Sequence, residues 1–163
     1  MLRKNHGDYA ERFMALYPAN EQNLFQTVQE LSEDEMMVLQ NRLAEQRMAS
    51  GDKATYVYFF SHIMPGPDSA EYGAFHTSDV PYFLNNSSDV RAAYWTQNDY
   101  LVGNVASQYL LNFARNGDLN GQDLPTWLPF NGAYEYMEVS EQSRFHKLDV
   151  EKAALWKEYL NSK

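Results

Sequence analysis

Cysteine is absent from the 163 residues, which removes disulfide frameworks, thiol nucleophiles and cysteine-based zinc sites together and leaves the compartment unassigned. Basic residues are scarce: 13 Lys and Arg stand against 22 Asp and Glu, a formal charge of −9, and no basic run is present that could track a phosphate backbone. Nucleic acid is therefore not an expected partner. Long apolar runs are missing as well. Stretches such as Val57 to Phe60 are far too short to cross a bilayer, and the start Met1-Leu2-Arg3-Lys4 lacks a following apolar h-region, so neither a membrane span nor a signal peptide is expected. The histidines are His6, His62, His76 and His146, and none lies three to five residues from another, so no metal site is expected from spacing. What is present is 44% hydrophobic and 21% charged, within the globular range, and the length suits one domain rather than two.

Helical signals dominate the first fifty positions. Asp8 with Glu11 resembles a capping box ahead of Phe13, Leu16 and Tyr17, and Pro18 stops the segment, predicting a short helix over 9–17. A second stretch begins at Asn20 with Leu24, Val28 and Leu31 on one face. Ser32 and Glu35 then form a clearer box before Met36, Leu39 and Leu43, predicting a third helix that ends near Gly51. From Thr55 to Phe60 aromatic and β-branched residues take over on both alternating faces. That pattern predicts a strand buried on both sides, the habit of an interior strand in an α/β sheet.

Pro65-Gly66-Pro67 and Gly73 mark a loop over 61–78. Leu101, Val105 and Tyr109, with Leu110, Phe113 and Ala114 beside them, predict a helix over 98–115 closed by Asn116-Gly117. The stretch 117–132 reads as a turn-rich loop. Tyr134 to Val139 alternates like a strand, and Asp149 caps a last helix carrying Ala153, Trp156 and Leu160.

Several motifs invite chemistry. Asn116 to Gly121 matches the front of a calcium loop at its third, fifth and sixth positions, but the first ligand would be Asn116 and the twelfth Trp127, so a helix cap and turn is the expected role. Asn85 and Asn86 each begin an N-x-S sequon, which matters only in a eukaryotic secretory route. The segment Gly73 to Phe83 is the most informative. His76 follows a strand-end loop, with a glycine that permits close backbone approach and Asp79 three residues on, an arrangement compatible with a general base. A surface or merely hydrogen-bonded histidine is the other role for that position.

Resemblance separates the two. Tyr56-Val57-Tyr58-Phe59-Phe60-Ser61-His62, Gly73-Ala74-Phe75-His76 with Asp79-Val80-Pro81-Tyr82, Asn112-Phe113-Ala114, Gly117-Asp118 with Asn120-Gly121, and Leu124-Pro125 with Trp127 occur in that order. In this the sequence resembles the C-terminal part of the type B carboxylesterases, which include cholinesterases and para-nitrobenzyl esterases. The resemblance runs from about Tyr9 to the final helix and is strongest over 56–130. Leu84-Asn85 and Leu119 depart from the family's common residues. The implied fold class is α/β: the C-terminal portion of an α/β-hydrolase, mostly helices with a few strands of an incomplete sheet, forming a single partial domain over 1–163.

The same resemblance places His76 at the family's catalytic histidine and Asp79 at the acidic position that supports it. Tyr72, Phe75, Tyr82 and Phe83 become candidates to wall the substrate pocket, with core packing as the other role for each. The family's reaction is acyl transfer by a serine that histidine activates, in the chain order serine, acid, histidine, with the serine in a G-x-S-x-G turn. No Gly-x-Ser occurs among the eight glycines here. The expected function is thus that of a C-terminal segment of an ester hydrolase, inactive by itself, requiring no cofactor or metal. Its expected partners are an ester substrate and the N-terminal part of the same fold, and the isolated chain is expected to self-associate as a homo-oligomer. A non-catalytic interaction module built on the same fold, and an unrelated small helical domain, are the alternatives.

Overall fold

The computed structural model describes residues 6–51, 54–86 and 93–163. The start of the chain and the serines of both sequons, Ser87 and Ser88, lie outside the described residues. The chain divides into two compact units, one comprising Met1–Asp52, Phe130–Glu135 and Lys147–Lys163, the other Lys53–Pro129 and Tyr136–His146.

In the first unit a 3-10 turn at Gly7–Tyr9 leads into α1 (Ala10–Leu16), followed by the long α2 (Leu24–Ala49) and, at the far end of the chain, α6 (Val150–Asn161). The joint expected near Ser32 is absent, and one unbroken helix runs from Leu24 to Ala49. The cause is local: the Ser32 hydroxyl donates back to the Val28 carbonyl at 3.1 Å, one turn earlier, and so is not free to cap a new helix. Asp149 does cap α6, accepting from the amides of Glu151 and Lys152. Large rings fill this unit. Phe13, Tyr17 and Trp156 are buried, with the Phe13 and Trp156 rings edge-on at 4.6 Å. The indole donates to the Tyr17 hydroxyl at 2.9 Å, and that hydroxyl donates to Asp34 at 2.7 Å.

The second unit holds β1 (Tyr58–Phe60), the one-turn helices α3 (Ser69–Tyr72) and α4 (Val80–Phe83), the helix α5 (Gln97–Asn116), and most of β2 (Glu135–Val139) and β3 (Arg144–Lys147). Strand order is β1-β2-β3, with β1 parallel to β2 and Phe59 opposite Glu138. The third strand was not expected. Its sequence Arg-Phe-His-Lys offers one apolar side chain and charged ends, a composition that suits a sheet edge and hides the strand from a hydrophobicity count. β1 is shorter than the apolar run that announces it, and burial on both sides is corrected: Tyr58 is 39% exposed and Phe59 and Phe60 are half-buried. Among the described residues β1 has a single strand neighbour, β2, which leaves its other edge without the cover an interior strand receives.

The core of this unit gathers Met64, Tyr82, Trp95, Val102, Ala106, Tyr109, Trp127, Met137 and Val139. α5 begins in a reciprocal capping box between Thr96 and Asp99 and ends at Gly117 in the left-handed conformation. Beyond it, the Asn120 side chain pairs with the backbone of Trp127 in both directions, at 2.7 and 3.0 Å, which pins the turn-rich loop to the core. A Cβ on Gly121 would come within 2.5 Å of the Asn112 side-chain Nδ2, so a larger residue there would displace that side chain from its hydrogen bond to the Leu119 carbonyl. The residues once compared with a calcium loop are thus a cap and a clip.

Candidate active site

His76 sits on a tight turn between α3 and α4, with its side chain exposed. The turn is built from two successive short loops: the Ser78 amide donates to the Phe75 carbonyl at 3.0 Å and the Val80 amide to the Thr77 carbonyl at 3.2 Å. Its entry requires Gly73, whose φ of 56° and ψ of −145° lie where a side chain is poorly tolerated. The residue after His76 is more unusual. Thr77 has φ 71°, a left-handed conformation that a β-branched side chain adopts only under constraint, at a cost of about 1–3 kcal/mol. Strain of this kind persists only where the surroundings dictate it.

Two contacts hold the exit of the turn. Asp79, which precedes α4, accepts a hydrogen bond from the Tyr58 hydroxyl of β1 at 2.7 Å. Burial and that bond to a carboxylate both push the Tyr58 phenol above its ordinary range. Tyr82, fully buried on α4, donates to Asp99 Oδ1 at 2.7 Å, and its ring lies against Trp95 at 4.8 Å. Tyr82 is likewise pushed up, by burial first and by Asp99 second.

Asp99 is the hub of a network that sequence reasoning missed. It is 1% exposed and accepts four hydrogen bonds: from Tyr82, from the Thr96 amide and hydroxyl, and at 2.7 Å from His62 Nε2. The other ring nitrogen of His62 meets Glu141 Oε1 at 2.6 Å, so this buried imidazole is flanked by two carboxylates. Burial is the largest single influence on Asp99 and pushes it up. The bonds from Thr96, His62 and Tyr82 together outweigh it and hold the carboxyl below its usual range. The one local trace of this cluster in the sequence is the pair Thr96 and Asp99 at capping-box spacing. His62 and Glu141 come from distant segments.

Tyr72 and Phe75 line an apolar cavity of about 360 Å³ beside the turn, together with Met64, Pro65, Pro67 and Tyr94. Tyr82 and Phe83 do not line it: Tyr82 is in the core, and Phe83 packs against that core with its ring 5.1 Å from Tyr58. A second polar group joins Ser61, Glu138 and His146. Ser61 donates to Glu138 Oε1 at 2.6 Å, and His146 Nε2 lies 2.6 Å from Glu138 Oε2. Here the carboxylate stands between hydroxyl and imidazole, so the histidine has no access to the serine proton, the reverse of a nucleophile-activating order. Among the described residues no group of three or more histidine, aspartate or glutamate side chains is arranged to hold a metal ion, and no helix is long and apolar enough to cross a membrane.

Comparison with known proteins agrees with this architecture. The model of the carboxylesterase family matches residues 4–156. A cocaine esterase of Homo sapiens is 25% identical over 171 aligned residues, covering all of this chain and 30% of that protein. Carboxylesterase 3 of Pongo abelii is 31% identical over 108 residues, 64% of this chain and 19% of the relative, and carboxylesterase 4A of Bos taurus is 29% identical over 105 residues, with 63% and 19% covered. The chain therefore spans less than a third of the length of these relatives. A helix-rich chain with a small three-stranded sheet fits a portion of an α/β-hydrolase. The family model covers nearly the whole chain, and the chain belongs to the carboxylesterase family.

Proposed function

We propose that this chain is the histidine-bearing C-terminal part of a serine carboxylesterase, with His76 as general base and acid. In the complete catalytic unit a serine hydroxyl supplied by the preceding part of the fold attacks the ester carbonyl while neutral His76 takes its proton. The proton then goes to the departing alcohol, and a second cycle with water in place of serine releases the acid. The observation that carries this reading is an exposed imidazole on a strained, doubly anchored turn, in a chain whose family is that of carboxylesterases. Asp79 supports the turn: its carboxylate is engaged by Tyr58 and is better placed to hold the loop than to orient His76. Tyr72 and Phe75 offer an apolar wall to the ester, while Tyr82 and Phe83 serve it from behind, by packing.

The chain alone lacks a G-x-S-x-G turn, and its Ser61 hydroxyl is committed to a carboxylate, so the isolated protein is expected to be inactive. A para-nitrophenyl ester assay tests both halves of the reading. The 163-residue chain should give background rates. Joined to a serine- and acid-bearing N-terminal segment of a carboxylesterase it should turn over, and His76→Gln should remove several orders of magnitude of that rate with folding intact. Full activity in His76→Gln, with loss in His62→Gln or His146→Gln, would overturn the assignment.

A further inference from the structure

The His76 turn cannot hold itself. Its two internal hydrogen bonds, Ser78 to Phe75 and Val80 to Thr77, each close a single turn, and they work against a left-handed threonine. A rigid link runs from this turn into the core. Asp79 leads directly into α4, whose amides at Tyr82 and Phe83 both donate to the Asp79 carbonyl at 3.0 Å, so any shift of Tyr82 moves the turn. Tyr82 is in turn fixed at its hydroxyl by Asp99, on its ring by Trp95, and on its edge by His62 at 5.0 Å. Asp99 has no freedom to follow it, because Oδ2 is taken by the Thr96 amide and hydroxyl at the start of α5. His62, just beyond β1, ties the same carboxylate to Glu141 in the turn between β2 and β3.

We propose that Tyr82, Asp99 and His62 are positioning residues for His76, forming a buried brace that fixes the histidine turn to β1, to α5 and to the turn after β2. The inference rests on the reading of His76 as the general base, and its test separates the two. Amide hydrogen exchange on the 163-residue chain addresses the brace without any catalysis. Tyr82→Phe, which removes one hydroxyl and keeps the ring, and His62→Gln, which keeps one donor, should each raise exchange at Ser78 and Val80 about fivefold to tenfold while the interior amides of α5 stay protected. Asp99→Asn should do the same more strongly, and the milder pair decides the matter where it unfolds. Exchange at Ser78 and Val80 unchanged within twofold in both mild variants overturns the brace, as does an equal rise throughout α5, which would mark a general loss of stability. In the chain joined to a serine-bearing segment, Tyr82→Phe should lower kcat at least tenfold with KM within twofold, and an unchanged kcat overturns the positioning role. His76→Gln retaining activity removes the catalytic reading instead, whatever the exchange result.

Discussion

Replacing Asp99 by alanine is the most searching perturbation of the second unit. The substitution removes one carboxylate and strands four donors: the Thr96 amide and hydroxyl, the Tyr82 hydroxyl and the His62 ring. Loss of the helix cap costs about 1 kcal/mol. The Tyr82 hydroxyl and the His62 ring, left buried without an acceptor, cost about 1–3 kcal/mol each, whereas the exposed Thr96 finds water instead. With the cap the sum spans about 3–7 kcal/mol, and about 4 kcal/mol is a large share of the roughly 5–15 kcal/mol that holds a domain together. With a urea dependence of about 2 kcal/mol per molar, the unfolding midpoint should fall by about 2 M. Asp99→Asn keeps one acceptor and turns a donor toward the others, so it should cost about half as much.

The assay is urea unfolding followed by tryptophan fluorescence, for which Trp95, against the Tyr82 ring, is a direct reporter. The pH dependence has a fixed sign. A carboxyl held below its unfolded value of about 3.9 contributes stability that is fully present above that value and is lost as pH falls through the lower, folded value. The gap between the parent and Asp99→Asn should therefore be flat from about pH 5 to 8 and close below about pH 4, both proteins keeping His62 and Glu141 beside the same cluster. A midpoint shift under about 0.3 M for Asp99→Ala would refute the reasoning, since it would mean that the four bonds are no better than those the unfolded chain makes with water.

Two further outcomes follow from other parts of the molecule. Thr77→Gly should raise stability by about 1 kcal/mol, because relief of a left-handed β-branched residue exceeds the added freedom of glycine in the unfolded chain, and a lower urea midpoint would show that the turn is not strained. On α2 the side chains of Phe25, Val28, Met36, Leu39 and Leu43 recur at helical spacing and are 72%, 42%, 54%, 39% and 54% exposed, and Leu101 and Leu111 on α5 are 55% and 50% exposed. The isolated chain should accordingly self-associate despite its charge of −9, and sedimentation equilibrium at micromolar concentration showing a single 18.9 kDa species would contradict this.

How much of this was legible in the sequence depends on whether the cause was local. α5 was legible almost to the residue, because an apolar period and an Asn116-Gly117 stop are both written within one segment. The Asp149 cap of α6 was legible for the same reason. Ser32 misled because a hydroxyl at capping-box spacing can also bond back along a helix, and the choice is made by the preceding turn. β3 was hidden by its composition, with a single apolar side chain among charges. His76 and Asp79 were named by resemblance, and the geometry adds the Tyr58 contact that neither spacing nor composition implies. The His62 and Asp99 pair was out of reach: 37 residues separate them, and neither carries a motif that names the other.

Where charge is buried in this chain is itself informative. The first unit keeps ion pairs such as Arg12 with Glu158 on the surface, where solvent screens them, and relies inside on rings packed edge to face, such as Phe13, Trp156 and Tyr159. The second unit buries an aspartate and a histidine together, an arrangement that rarely improves stability over apolar packing of the same volume. Such a pair offers what apolar packing does not, which is direction: a carboxylate with four donors admits one position for each of them. One of these donors stands six residues beyond an exposed histidine, on a rigid single turn of helix, and under the proposed role of His76 this gives the cost of burial a use, because general base catalysis depends on an imidazole being held in place more than on its being surrounded by a stable core.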